Sequence, residues 1–233
     1  MKSFAVVIPA GGSGSRFDSR KKKQFTEFAG SSLLYWSLKG FLEPIEPFTL
    51  TKIVIAIPED TSSEERKDMP SHDRIEYVTG GNTRQLSVLN GLKALHTSGF
   101  KGTVLVHDAA RPLWLQKDVL TLLNKIDQTG EGALLASTVP DTLKHCHDLI
   151  VLNTEDRSKR YLAQTPQGAP FEKLYNLSLK AVQENIKVTD DASILEAYSE
   201  KVHIIPGDRW NIKLTNPEDR DLFEFLLKKR NLN

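Results

Sequence analysis

The chain has 233 residues, 39% of them hydrophobic, and its 31 lysines and arginines stand against 30 aspartates and glutamates for a formal charge of +1. That length buries a real core and suits one α/β domain better than two. The balanced charge argues against a nucleic-acid binder relying on global basicity, while leaving room for a local cationic pocket.

A single cysteine, Cys146, excludes an internal disulfide framework and fits a reducing compartment. No apolar run approaches the roughly 20 residues that span a bilayer, and "MKSFAVVIPA" is too short for a signal peptide. A cytoplasmic protein with neither membrane nor nucleic acid as partner is expected.

The first element is "FAVVI" (4–8), a buried strand. "PAGGSGSRFDSRKKKQF" follows, Pro9 to Phe25. Its glycines let backbone amides converge on a ligand, and its cations make that ligand anionic. After Gly12 and Gly14 the third glycine of a dinucleotide fingerprint is missing, and no Gly-Lys-Ser/Thr closes a P-loop. Either the amides of residues 11–15 cradle a triphosphate while Arg16 and Lys23 neutralise charge developing at phosphorus, or the segment is a solvated turn. A strand, a glycine turn and cations in succession favour the first. Arg20 to Lys22 read as solvated charges.

Strands "KIVIAI" (52–57) and "RIEYV" (74–78) come next, then "GGNTRQLSVLNGL" (80–92), where a glycine pair ends a strand and Ser87 enters a helix. Small and polar groups there could read the edge of a base. The alternative is an ordinary turn capped by Asn82 or Thr83. Val88, Leu89, Leu92 and Leu95 recur at helical spacing, as do Val119, Leu122, Leu123 and Ile126. Between them "TVLVHD" (103–108) is a strand, and "VHDAARP" sets Asp108 at its end, before two alanines and Arg111. Asp108 can attend a phosphate-bound Mg²⁺ or form a structural ion pair with Arg111; the strand-end position favours the metal. With "ALLAST" (133–138) the pattern is βαβα, a doubly wound, mostly parallel sheet. Ligands then sit beyond the carboxyl ends of the strands, from Pro9, Gly80 and Asp108 onward.

After Thr138 the regularity breaks, and residues 139–163 read as a protruding β-arm within a single domain, 1–233. His145 and His147 of "HCH" share a strand face without further ligands, so zinc is not expected. A helix in "QTPQGAPFEKLYNLSLKAV", a loop "VTDDASILEAY", a strand "KVHIIPG" and a last helix after "TNPED" complete the chain. Thr189 or Asp190 suits a helix cap, and no chemistry is assigned to the acids beside them. Thr215 or Asn216 should cap the last helix, with Pro217 in its first turn. Phe223, Leu226 and Leu227 face the core. Lys213 in "NIKLT" is a substrate cation or one more exposed lysine.

Taken in order, "PAGGSGSRF", "KQF", "GGNTRQLSVLNGL", "VHDAARP", "QTPQ", "TDDASILE" and "NIKLTNPED" resemble the 2-C-methyl-D-erythritol 4-phosphate cytidylyltransferase family, from residue 5 to about 222. Lys22 departs from the family's usual proline, Leu86 from a frequent acid, and Gly11 from a common alanine. The resemblance implies a Rossmann-like nucleotidyltransferase fold and transfer of CMP from CTP to methylerythritol phosphate, with Mg²⁺ as cofactor. It implies that Ala10, Gly11, Gly12 and Gly14 form the CTP loop and that Gly81, Asn82 and Ser87 face cytosine. Arg16 and Lys23 would stabilise the pentacoordinate state, and Asp108 would lie near the metal. Arg111, Thr142, Arg157, Thr165 and Lys213 would hold the polyol phosphate, with Arg157 and Lys213 counted in the catalytic set. The arm would exchange within a homodimer, taking Thr142 and Arg157 to the neighbour's site. Two rivals stand: a cytidylyltransferase for another polyol phosphate such as ribitol 5-phosphate, and a nucleotide-binding regulatory protein without catalysis.

Overall fold

The computed structural model describes residues 2–11, 22–216 and 218–230. The chain runs through β1 (Lys2–Pro9), a short β2–β3 pair (Glu27–Phe28 and Ser31–Ser32), α1 (Leu33–Leu42), β4 (Phe48–Ile57) and α2 (Ser63–Lys67). Then come β5 (Ile75–Thr79), α3 (Arg84–Thr97), β6 (Thr103–Val106), α4 (Gln116–Thr129) and β7 (Gly132–Thr138). The hairpin β8 (Leu143–His147) and β9 (Ile150–Glu155) precedes β10 (Tyr161–Pro170), α5 (Phe171–Gln183), α6 (Asp191–Ala197), β11 (Val202–Pro206) and α7 (Asp219–Lys229).

Seven strands form one sheet in the order β11-β7-β10-β6-β1-β4-β5. β1 pairs in parallel with β4 and β6, as do β4 with β5 and β7 with β11. Alternation along β1 assigns the two layers. Phe4, Val6 and Ile8 pack with Leu34 and Phe41 of α1 and Leu122 of α4, whereas Ala5 and Val7 pack with Leu92 of α3 and Phe171 of α5. With helices on both faces, a central strand has no polar side to spare, which is why these strands read as continuous apolar runs. Phe223, Leu226 and Leu227 of α7 are buried against Phe28, Trp36 and Leu214.

Several expectations need correction. "YLAQTPQGAP" is a strand, β10, and runs antiparallel between β6 and β7 at the centre of the sheet. It does not read as one because Gln164, Thr165 and Gln167 are polar yet 4% exposed or less. Gln167 shows how that burial is sustained: its Oε1 accepts from the backbone N–H groups of Asp191 and Ala192, opening α6 inside the supposed loop. Asp190 caps α6 by accepting from Ser193 N. The last helix starts differently from the expectation too. Neither Thr215 nor Asn216 caps it with a side chain; Asp219, its first residue, accepts from the backbone N–H of both, and Pro217 lies outside the described residues.

β8 and β9 pair only with each other, apart from the main sheet. Their two-residue turn, Asp148 (φ 47°) and Leu149 (φ 64°), has the doubly left-handed geometry that matches hairpin twist. Residues 161–163, assigned in the sequence to the arm, pair with β7 in the main sheet.

Candidate active site

A cleft of about 610 Å³ opens at the carboxyl ends of β1, β5 and β6. One wall is mostly backbone. Past β1, Ala10 is pinned twice, its N–H donating to Ala56 O (2.8 Å) and its O accepting from Gln24 Nε2 (2.6 Å). Facing it, Thr83 caps α3 through Leu86 N, and the buried Ser87 hydroxyl accepts from Gly81 N (3.1 Å) and donates to Thr83 O (2.9 Å). Ser87 therefore shapes the Gly80–Gly81 turn. A Cβ on Gly81 would stand 2.3 Å from Leu86 Cβ, so that position needs the space, whereas one on Gly11 would stand 3.2 Å from Ser87 Oγ, a tight contact that a small shift of the hydroxyl relieves. Gly11, Gly81, Asn82 and Ser87 all line the cleft.

The other wall is charged. Asp108, just past β6, is 8% exposed and meets three cations: Arg84 Nε at 3.2 Å, Lys213 Nζ at 2.9 Å and Arg111 Nε at 3.7 Å. Burial alone would raise its pKa, but Arg84, Lys213 and Arg111 outweigh burial and hold the carboxyl well below the usual range. Arg84 also reaches Asp191 Oδ2 at 2.7 Å. Burial pushes the Asp191 carboxyl up against the pull of Arg84. Lys23 lines the same cleft, and its Nζ donates to Leu214 O.

Behind Asp108, its N–H donates to Thr165 Oγ1 (3.0 Å), and Thr165 Oγ1 lies 3.0 Å from His107 Nδ1. His107 Nε2 is 3.0 Å from Arg111 O, which only accepts, so Nε2 carries the ring proton and Nδ1 receives the Thr165 hydroxyl. Burial lowers the His107 pKa to about 4, which keeps the ring neutral. Asn211, 1% exposed, donates from Nδ2 to Thr165 O (2.8 Å) and accepts from Arg111 Nη1 at its backbone O (2.8 Å). It thereby anchors the loop that carries Lys213.

The structure thus gathers Ala10, Gly11, Lys23, Gly81, Asn82, Ser87, Asp108 and Lys213 around one cleft, with Arg111 and Thr165 immediately behind. Gly12, Gly14 and Arg16 lie outside the described residues. Thr142 and Arg157 stand on the hairpin segment rather than on this chain's cleft, and Arg157 Nη1 donates to Pro140 O. Lys22 is not a solvated charge: its Nζ is 3.3 Å from Asp60 Oδ1 and 3.4 Å from Glu65 Oε2, and Glu65 also closes the capping box of α2 with Ser62. Sequence reasoning missed Arg84, Asp191 and Asn211. The run Asp190-Asp191 was the available signal, since two acids at a cap leave one free for another task.

Among the described residues no three His, Cys, Asp or Glu side chains are grouped to hold a metal ion, and Asp108 is the one acidic residue lining the cleft. That donor set suits Mg²⁺, which takes one or two carboxylates and draws its other ligands from phosphates and water. No helix among the described residues is long and apolar enough to cross a membrane.

A family model described as 2-C-methyl-D-erythritol 4-phosphate cytidylyltransferase matches residues 4–229. Curated relatives of that name include one from Prochlorococcus marinus (strain MIT 9312), 38% identical over 95% of this chain and 96% of its own. Another, from Haemophilus influenzae (strain PittGG), is 37% identical over 99% of each. Among solved structures, 4-diphosphocytidyl-2C-methyl-D-erythritol synthase from Anaerococcus prevotii superposes with a TM-score of 0.82 at 28% identity, covering 97% of this chain and 96% of that one. 2-C-methyl-D-erythritol 4-phosphate cytidylyltransferase from Francisella tularensis superposes with a TM-score of 0.80 at 29% identity, covering 97% and 99%.

Proposed function

The chain belongs to the 2-C-methyl-D-erythritol 4-phosphate cytidylyltransferase family, and from that premise we propose which residues carry its reaction. The enzyme transfers the cytidylyl group of CTP to 2-C-methyl-D-erythritol 4-phosphate in the non-mevalonate route to isoprenoids. A phosphate oxygen of the polyol phosphate attacks the α-phosphorus in line; the new P–O bond forms as the bond to pyrophosphate breaks. Little covalent work is left to the protein beyond placement and charge.

The backbone wall takes the nucleotide. Gly81, Asn82 and Ser87 face cytosine, while Ala10 and Gly11, continued by Gly12 and Gly14, cradle the triphosphate. Lys23 and Arg16 meet the charge that grows at the α-phosphorus. Asp108 would hold magnesium, which would supply positive charge to the phosphates. Lys213, Arg111 and Thr165 orient the polyol phosphate, and a second copy of the chain lends Thr142 and Arg157 from its hairpin. The observation that carries the assignment is the convergence on Asp108: Lys213 sits 2.9 Å from its carboxylate, in the cleft that Lys23 and the glycine turns line.

Purified protein with CTP, Mg²⁺ and 2-C-methyl-D-erythritol 4-phosphate should release pyrophosphate in step with CDP-linked product. Ribitol 5-phosphate in its place should release far less. Release with ribitol 5-phosphate alone would overturn the substrate assignment. No release with either would leave a nucleotide-binding protein without this catalysis.

A further inference from the structure

Arg84 opens α3 and faces two carboxylates with different nitrogens. Its Nε lies 3.2 Å from Asp108 Oδ1, and its Nη2 lies 2.7 Å from Asp191 Oδ2. The other oxygen of Asp108 is occupied separately, by Lys213 Nζ at 2.9 Å and Arg111 Nε at 3.7 Å. Asp191 is 3% exposed and stands outside the cleft lining, whereas Arg84 is part of that lining. Its backbone is fixed by the bond from its N–H to Gln167 Oε1 (3.0 Å), so its carboxylate does not follow Arg84 if Arg84 moves.

A divalent cation and Arg84 compete for one oxygen, Asp108 Oδ1. A guanidinium has five donors in a planar fork, so it can give up one carboxylate and keep another. We propose that Asp191 is a positioning residue for the metal site: it holds Arg84 aside when Asp108 Oδ1 takes the divalent cation, making Arg84 a displaceable counterion of Asp108. The inference rests on Asp108 being the metal-binding carboxylate. Without Asp191, Arg84 is free to turn its whole fork onto Asp108 and grip it in the bidentate manner that carboxylates favour. The cation then has a tighter competitor. With Asp191 in place, the arginine neutralises a nearly buried carboxylate before the cation arrives and still leaves without becoming an unpaired buried charge, which would be costly.

The test is Mn²⁺ binding, followed by electron paramagnetic resonance in the presence of CTP and without polyol phosphate, so that no turnover occurs. Asp191→Asn should raise the Kd for Mn²⁺ about tenfold, the order expected for shifting one hydrogen bond to a charged group. Arg84→Gln should lower it several-fold by removing the competitor. In the Arg84→Gln background, Asp191→Asn should then change the Kd by less than about twofold, because the residue through which it acts is gone. The same weakening in both backgrounds would mean that Asp191 acts only as a distant charge and would overturn the proposal. So would an unchanged Kd in Asp191→Asn. Should that variant fail to fold, Arg84→Gln alone decides, since an equal or weaker affinity overturns displacement. Asp108→Asn separates the two levels of argument. Loss of Mn²⁺ binding supports the metal assignment whatever Asp191 does, and retained binding overturns that assignment and the proposal together.

Discussion

The cleft and the β8–β9 hairpin are opposites. In the cleft and the layer behind it, polar groups are buried and answer one another: Asp108 on the cleft is 8% exposed, and Gln167 and Asn211 behind it are 2% and 1% exposed, each bonded to neighbours from other elements. On the hairpin, apolar groups face solvent, with Leu149 99% exposed, Ile150 68% and Leu152 59%. One chain is enough to satisfy the first region. The second presents a contiguous apolar stretch of the kind that marks an interface, which supports a second copy as its cover. The cleft's charges are thus placed by the fold, whereas the hairpin's purpose depends on what meets it.

The largest expected effect lies in the cleft. Lys23→Ala should lower turnover by about 10²–10³ while CTP binding changes little, because a cation aimed at charge that appears only in the transition state affects rate more than ground-state affinity. Arg16→Ala should behave alike. Turnover within a few-fold of the parent, measured on folded protein, would remove the residue from the catalytic set.

The next effect joins the two regions. Arg157→Ala and Lys23→Ala chains, each nearly inactive, are mixed under conditions that let dimers dissociate and re-form. If the hairpin crosses to the partner, one site of each mixed dimer collects both defects and the other collects neither, so random pairing should restore about a quarter of the parental activity. If the hairpin serves its own chain, every site keeps one defect. Activity that stays at the level of the single variants, despite proven exchange, would reduce the hairpin to a structural part.

The sequence revealed these two regions unequally. "FAVVI", "KIVIAI" and "TVLVHD" were legible as β1, β4 and β6 because strands covered on both faces must be apolar throughout. The glycine turns and Asp108 were legible because they fall at strand ends. β10 was hidden, since its polar residues are buried only by virtue of distant partners, such as the Gln164 Nε2 bond to Asp208 O (2.9 Å). Arg84 was hidden for the same reason: an arginine at a helix start resembles any solvated cation until Asp108 and Asp191 are seen 24 and 107 residues away. Lys22 was misread because Glu65, 43 residues on, is invisible to a local pattern.

The smallest effect asks whether the cleft wall really depends on its groups answering one another in a fixed protonation state. His107 is fully buried, with its pKa lowered to about 4 by burial against the opposing pull of Asp108; an unfolded chain titrates the same ring near 6.5. Between those values the unfolded state binds more protons than the folded one, so stability rises with pH across that window. The contribution is complete above about pH 6.5 and is lost as pH falls toward 4, for a total of about 3 kcal/mol. Burial is the main cause, and the direction of one hydrogen bond works the same way. A proton on Nδ1 would turn that nitrogen from acceptor to donor, so the Thr165 hydroxyl could no longer donate to it and would lose that partner. Urea unfolding without divalent cation or substrate, at intervals from pH 7 to 4, measures the slope directly. His107→Asn should be less stable at pH 7 yet lose less on acidification, by roughly that amount, because the substitution removes the buried ring whose protonation the fold opposes. An unchanged slope in His107→Asn would place the acid sensitivity elsewhere, and the wall behind Asp108 would then tolerate a charged ring despite its burial.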